Sequence, residues 1–113
     1  MSLVITHENS SRPSFVGVVS GVDLSKPLDQ EVVRAIDRAM DQYAVLVFRD
    51  QPLTQDEQID CSIQFGPLDT GLRKATGAPT RFNHDQLIDI GNVALDGSIA
   101  NSNNKKLIGV LAN

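Results

Sequence analysis

An α+β fold is predicted by three features of the sequence. Val32, Ile36, Met40 and Tyr43 recur at spacings of three and four, which places them on one face of a helix over residues 30–43. Ala44-Val45-Leu46-Val47-Phe48 follows as an unbroken apolar run, too short for a helix and suited to a strand buried on both faces. Thr54-Gln55-Asp56-Glu57 then carries the capping-box pattern, in which a hydroxyl and a carboxylate three residues apart satisfy each other's backbone N–H.

Residues 1–14 read as a loose lead-in, because His7 to Ser14 is polar and contains Pro13. Phe15 to Leu24 is rich in β-branched residues and bounded by turn formers. It is expected to form a strand or short hairpin, with Gly17 and Gly21 permitting a bend. Asp29 stands where the first helix would be capped, and Glu31 sits in its first turn, where a negative charge is favoured. The second helix, near 55–65, is expected to turn Ile59, Ile63 and Phe65 inward and to stop at Gly66-Pro67.

Residues 68–83 look like a loop, punctuated by Gly71, Gly77, Pro79 and Asn83. Gln86 to Ala94 alternates as a strand does, Leu95-Asp96-Gly97-Ser98 reads as a turn, and Asn101 to Asn104 is polar. The closing run Leu107 to Leu111 is apolar. It fits either a terminal strand inside a sheet or a sequence that stops short of the element covering it, and the second is expected here.

Composition narrows the function. With 10 basic and 14 acidic residues, mixed along the chain, there is no clustered positive face for nucleic acid. No apolar run is long enough to span a bilayer, and Met1 to His7 lacks the form of a signal peptide, so no membrane partner and a cytoplasmic location are expected. The single cysteine, Cys61, excludes an internal disulfide or a multi-cysteine zinc site; mid-helix, with no adjacent base or cation, it reads as a small hydrophobe. Four Phe, one Tyr and no Trp leave little aromatic mass for a core, which hints at an incomplete domain.

Four blocks in order carry a resemblance: Val19-Ser20-Gly21-Val22-Asp23-Leu24-Ser25-Lys26-Pro27-Leu28, Ala44-Val45-Leu46-Val47-Phe48-Arg49-Asp50-Gln51, Leu53-Thr54-Gln55-Asp56-Glu57-Gln58-Ile59 and Phe65-Gly66-Pro67-Leu68. Together they resemble the taurine/2,4-dichlorophenoxyacetate dioxygenase family. Arg81-Phe82, Asp89 to Gly97 and the ending Ala112-Asn113 are similar to its 2,4-dichlorophenoxyacetate branch. Asp60-Cys61-Ser62-Ile63-Gln64 departs from the alanines, aromatic and basic residue usual in that helix, and residues 101–104 are all Asn and Ser, which leaves the substrate open.

The resemblance implies a double-stranded β-helix (jelly-roll) fold. Residues 1–113 would supply the N-terminal part of one catalytic domain, truncated before the metal motif. It also implies iron(II) and 2-oxoglutarate in the full-length parent, with neither bound to this chain alone. The implied reaction consumes molecular oxygen, one atom entering the succinate formed with carbon dioxide from 2-oxoglutarate and the other hydroxylating a small carboxylate or sulfonate. Hydroxylation beside an ether oxygen would split an aryloxyacetate into a phenol and glyoxylate. The family's His-x-Asp would follow Asn113; on a strand, residues i and i+2 point the same way and present two ligands together.

His7, His84 and Asp85 supply a nominal ligand set, but His7 lies in the lead-in and neighbouring strand residues face opposite sides, so no metal site is assigned. By resemblance, Lys74 aligns with a position facing the substrate carboxylate, and Asn92 lies where a strand approaches the metal in relatives. These two are the candidate substrate-binding residues, each also readable as an ordinary surface or turn residue. Asp23, Arg49 and Asp50 read as structural, forming turns and pairing helix with strand. The expected partner is a small acidic molecule, with homo-oligomerisation left open. The alternative is a non-catalytic α+β domain that binds through the 107–111 strand.

Overall fold

Val4, Ile5 and Thr6 are β-branched, and Val4–His7 forms a strand (β1) as soon as a partner lies alongside. The computed structural model describes residues 2–77 and 80–99, and the fold divides into two compact units at the Leu68–Asp69 junction. The partner of β1 is Val16–Ser20 (β2), antiparallel, with Val4 opposite Ser20 and His7 opposite Gly17. The expected lead-in is therefore structured over residues 4–7. Its remaining polar stretch makes turns, with the Asn9 carboxamide accepting from the Ser11 N–H at 2.9 Å.

Val16–Ser20 confirms the strand expected within 15–24, and the bend comes at Gly21, whose φ of 79° lies in the left-handed region. A Cβ there would also collide with the Ser2 carbonyl. After one further turn, closed by Lys26 N–H to Asp23 O, the first helix, Gln30–Gln42 (α1), occupies the predicted span. Asp29 holds the N-cap position with extended backbone, yet its carboxylate makes no capping bond. Ile36 and Ala39 are 4% exposed, and Tyr43, the C-cap, is 9% exposed. Met40 sits beside this stripe rather than on it and is 52% exposed.

Val45–Phe48 (β3) returns parallel to β2, with Val16 opposite Val45 and Val19 opposite Phe48, giving the order β1-β2-β3. Parallel strands need a crossover of a dozen residues or more, and α1 provides it while packing against β3. The expectation of burial on both faces is not met. Leu46, Val47 and Phe48 are half-buried, and Val45 is 45% exposed, because β3 is an edge strand with one helix against it among the described residues.

Tyr43 explains the glycine in β2. A Cβ on Gly17 would lie 2.7 and 2.8 Å from the Tyr43 ring and 2.9 Å from Leu46 Cδ2, so the ring rests on bare backbone. Gly17 and Val19, two apart, are the buried positions of β2.

The second helix is Gln55–Ile63 (α2), and both halves of its capping box form: Glu57 N–H donates to Thr54 Oγ1 and Thr54 N–H to Glu57 Oε1, each at 3.2 Å. Its inward face is thinner than expected. Ile59 is half-buried, whereas Ile63 and Phe65 are 57% and 41% exposed. The chain leaves α2 through tight turns, Phe65 N–H to Ser62 O and Gly66 N–H to Ile63 O.

In the second unit, the expected loop contains a short helix, Gly71–Thr76 (α3), entered where Asp69 Oδ1 accepts the Gly71 N–H at 2.7 Å. The strand expected over 86–94 is absent; a single antiparallel bridge joins Val93 to Ile99. The 95–98 turn is present, closed by Ala94 N–H to Ser98 O at 2.7 Å. The 101–104 and 107–111 stretches lie outside the described residues, and with them the strand on which the alternative binding role depends. No helix among the described residues is long and apolar enough to cross a membrane.

Candidate functional site

Two glutamines hold backbone that is distant from them in the chain. Gln51, just after β3, accepts the Leu24 N–H at 2.9 Å and donates to the Val22 carbonyl at 3.0 Å and the Arg49 carbonyl at 3.4 Å. Gln64, at the end of α2, accepts the Leu28 N–H at 2.8 Å and donates to the Asp60 carbonyl at 3.3 Å. The connection between β2 and α1 has no ladder of its own, so these carboxamides satisfy its backbone. Two clefts flank it. One, of about 380 Å³, is lined by Val22, Asp23, Asp50 and Gln51; the other, of about 250 Å³, by Leu24, Pro27, Cys61 and Gln64.

Gln51→Leu keeps the volume and removes all three bonds. It is expected to cost about 2 kcal/mol, because a partly buried donor and acceptor lose their partners together. Urea unfolding should show a lower midpoint at unchanged slope; an unmoved midpoint would mean that water replaces the clamp.

The charges read as structural do form turns and pairs, with one difference. Asp23 Oδ1 accepts from the Ser25 hydroxyl at 2.6 Å and the Ser25 N–H at 3.0 Å, and these bonds, the hydroxyl's first, hold its pKa below the ordinary carboxylate value. Arg49 pairs with Glu8 at 3.0 Å, tying the ends of two strands rather than a helix to a strand. Asp50 turns the chain with φ at 56°, a conformation that Asp tolerates better than most residues. Cys61 is half-buried, and desolvation pushes its thiol pKa up, away from nucleophilic use.

Lys74 is exposed on α3 rather than on a loop, its N–H donating to the Thr70 carbonyl at 3.3 Å. Asn92 is exposed in a bend. Among the described residues no hydrogen bond or ion pair links the two. His7 faces solvent on β1, while His84 and Asp85 are half-buried at the start of a turn closed by Leu87 N–H to His84 O at 3.3 Å. No group of three His, Cys, Asp or Glu side chains among the described residues could hold a metal ion, so these residues do not fit a resident iron.

The strongest polar arrangement of the second unit joins Arg81 to Asp89. Arg81 Nε and Nη2 donate to the carboxylate at 3.1 and 3.3 Å, and the Arg81 backbone N–H adds a third bond at 3.3 Å. The Asp89 side chain is 3% exposed, against 33% for Arg81, whose guanidinium also lies 5.5 Å from the Phe82 ring centroid. These bonds raise the Arg81 pKa above its already high value. Their sequence signal was slight: two opposite charges eight apart, with no periodicity connecting them.

Residues 8–108 match the family described as taurine catabolism dioxygenase TauD, TfdA family. The chain is 44% identical over 105 residues to the alpha-ketoglutarate-dependent 2,4-dichlorophenoxyacetate dioxygenase of Cupriavidus pinatubonensis (strain JMP 134 / LMG 1197), covering 93% of this chain and 37% of that protein. It is also 44% identical over 101 residues to the enzyme of the same description from Burkholderia sp. (strain RASC), covering 89% and 34%. Among solved structures, AAD-2 in complex with Mn(II) and N-oxalylglycine superposes with a TM-score of 0.76 at 32% identity, over 98% of this chain and 34% of that one. The chain thus spans about a third of the length of the curated relatives it matches.

Proposed function

Because this chain belongs to the taurine catabolism dioxygenase TauD, TfdA family, we propose that it forms the N-terminal part of one catalytic domain in an iron(II)- and 2-oxoglutarate-dependent dioxygenase. The observation that carries this reading is the 44% identity to a 2,4-dichlorophenoxyacetate dioxygenase across 93% of the chain. The likeness to a structure holding Mn(II) and N-oxalylglycine supports a divalent metal and a 2-oxo acid as the parent's cofactors. Since the described residues do not fit the metal, its ligands are assigned outside them, within a jelly roll.

This segment's part is structural support and one wall of the substrate site. The substrate is a small carboxylate, an aryloxyacetate in the first instance, and Lys74 and Asn92 are the residues assigned to it. An ammonium group on an exposed helix suits a carboxylate that must arrive and leave, and an amide can orient a bound polar group. The exposed apolar side chains of β3 and α2, Val45 and Ile63 among them, suit contact with the rest of the domain.

The full-length enzyme, supplied with iron(II), 2-oxoglutarate, molecular oxygen and 2,4-dichlorophenoxyacetate, is expected to release succinate and the phenol in equal amounts. Residues 1–113 alone are expected to release neither. A full-length enzyme forming no succinate with any carboxylate or sulfonate would defeat the reading.

A further inference from the structure

A carboxylate withdrawn from water is costly unless it is paired and hydrogen-bonded. Asp89 is the side chain so placed, 3% exposed, and Arg81 meets it with a guanidinium fork plus its own backbone N–H. The other two ion pairs described, Lys26–Asp23 and Arg49–Glu8, keep both partners at least 43% exposed and belong to the solvated surface. Arg81–Asp89 is therefore built into its unit rather than laid on it.

Its position in the chain gives it a task. From Arg81 to Asn92 there is no helix or strand, so no backbone ladder sets the path. The pair closes residues 82–88 into a compact loop with its ends held together, of the kind that packs on its own side chains. Drawing Asp89 inward also sets the sense of the alternation that follows. Leu87, Asp89 and Gly91 are half-buried, while Ile88 and Ile90 stand 49% and 68% exposed and Asn92 is exposed with them. Two apolar side chains and an amide are thus exposed within five residues of the chain, a combination that suits a molecule with an apolar ring and a polar end.

We infer that Arg81 and Asp89 are positioning residues for substrate recognition, fixing the outward presentation of Ile88, Ile90 and Asn92 to the ring and polar end of the substrate. The inference rests on the dioxygenase reading above and deepens it. Neither residue touches the reacting atoms; both act through the segment that they close.

The test is steady-state kinetics of the full-length enzyme on 2,4-dichlorophenoxyacetate, with Arg81→Ala, Arg81→Lys, Asp89→Asn and Ile90→Asn compared with the unaltered protein. Arg81→Ala and Asp89→Asn are expected to raise KM for the aryloxyacetate roughly tenfold, with kcat within about twofold, because the loss lies in binding geometry rather than in chemistry. KM for 2-oxoglutarate should stay fixed. Arg81→Lys should recover only part of the loss, since an ammonium cannot reproduce the fork. Ile90→Asn alters a side chain that is 68% exposed, away from the Arg81–Asp89 pair, and should raise the same KM. An unmoved aryloxyacetate KM in Ile90→Asn, or changes in the Arg81 and Asp89 variants that fall equally on kcat and on both substrates, would overturn the inference. An unaltered enzyme that forms no succinate overturns the function and the inference together. Normal succinate formation with unmoved KM values overturns the inference alone.

Discussion

Gly17→Val is expected to be the most destabilising single substitution in β2, costing about 3 kcal/mol or more. The conflict is with a ring that has nowhere to go. The first added carbon would stand 2.7 Å from Tyr43 Cδ2 and 2.9 Å from Leu46 Cδ2, and the two valine methyls extend further into the same space. Tyr43 is 9% exposed at the C-cap of α1, so displacing it unseats the junction between the helix and β3. In a unit of this size, 3 kcal/mol corresponds to a fall in thermal midpoint of roughly 12–24 °C. The measurement is urea unfolding of the 113-residue chain, followed by the far-ultraviolet circular dichroism of its helices, a signal that all the variants share. Gly17→Ala should cost about 1–3 kcal/mol, and much less in a Tyr43→Leu background. Equal penalties in both backgrounds would show that the ring is not what demands glycine.

Lys74→Ala in the full-length enzyme should lower kcat/KM for an aryloxyacetate by about tenfold to a hundredfold. This follows if the ammonium meets the substrate carboxylate in a partly desolvated pocket, where a charge-assisted bond contributes roughly 1.5–3 kcal/mol. A contact made equally in the ground and transition states would place the loss in KM and leave kcat nearly unchanged. Lys26→Ala is the control, since that side chain is 76% exposed and pairs on the surface with Asp23. Equal, small changes at both lysines would return Lys74 to the solvated face.

What the sequence made legible is what short-range chemistry decides. The helix α1, the Thr54–Glu57 capping box and the 95–98 turn each depend on residues close in sequence, and each forms as expected, although Ala39 rather than Met40 carries the buried stripe. β1 escaped because its reason for existing is β2, and a strand of four residues has no stability before its partner arrives. α3 escaped because it is six residues long and opens on glycine. The segment 86–94 is the most instructive miss. The alternation is there, but no partner strand pairs with it among the described residues; instead Arg81 holds Asp89, whose side chain is 3% exposed, while Ile88 and Ile90 stand 49% and 68% exposed. In the candidate site, Lys74 and Asn92 came from resemblance. Gln51 and Gln64 left no trace, since a glutamine bonding a distant backbone looks like any surface glutamine.

The parallel pairing of β2 with β3 has a kinetic side. A hairpin can zip from its turn, but these two strands lie far apart in sequence, and the chain must carry all of α1 across before the first bond between them closes. The entropy of that closure is spent before any reward from the contacts, which raises contact order and slows folding more than it lowers stability. Lengthening such a crossover is cheap at equilibrium, about 0.6 kcal/mol for each doubling of a flexible loop. That tolerance ends between Val22 and Leu28, where two carboxamides grip the backbone at fixed points, so the crossover has a measured length on its way into α1 and variable cost nowhere else along that approach.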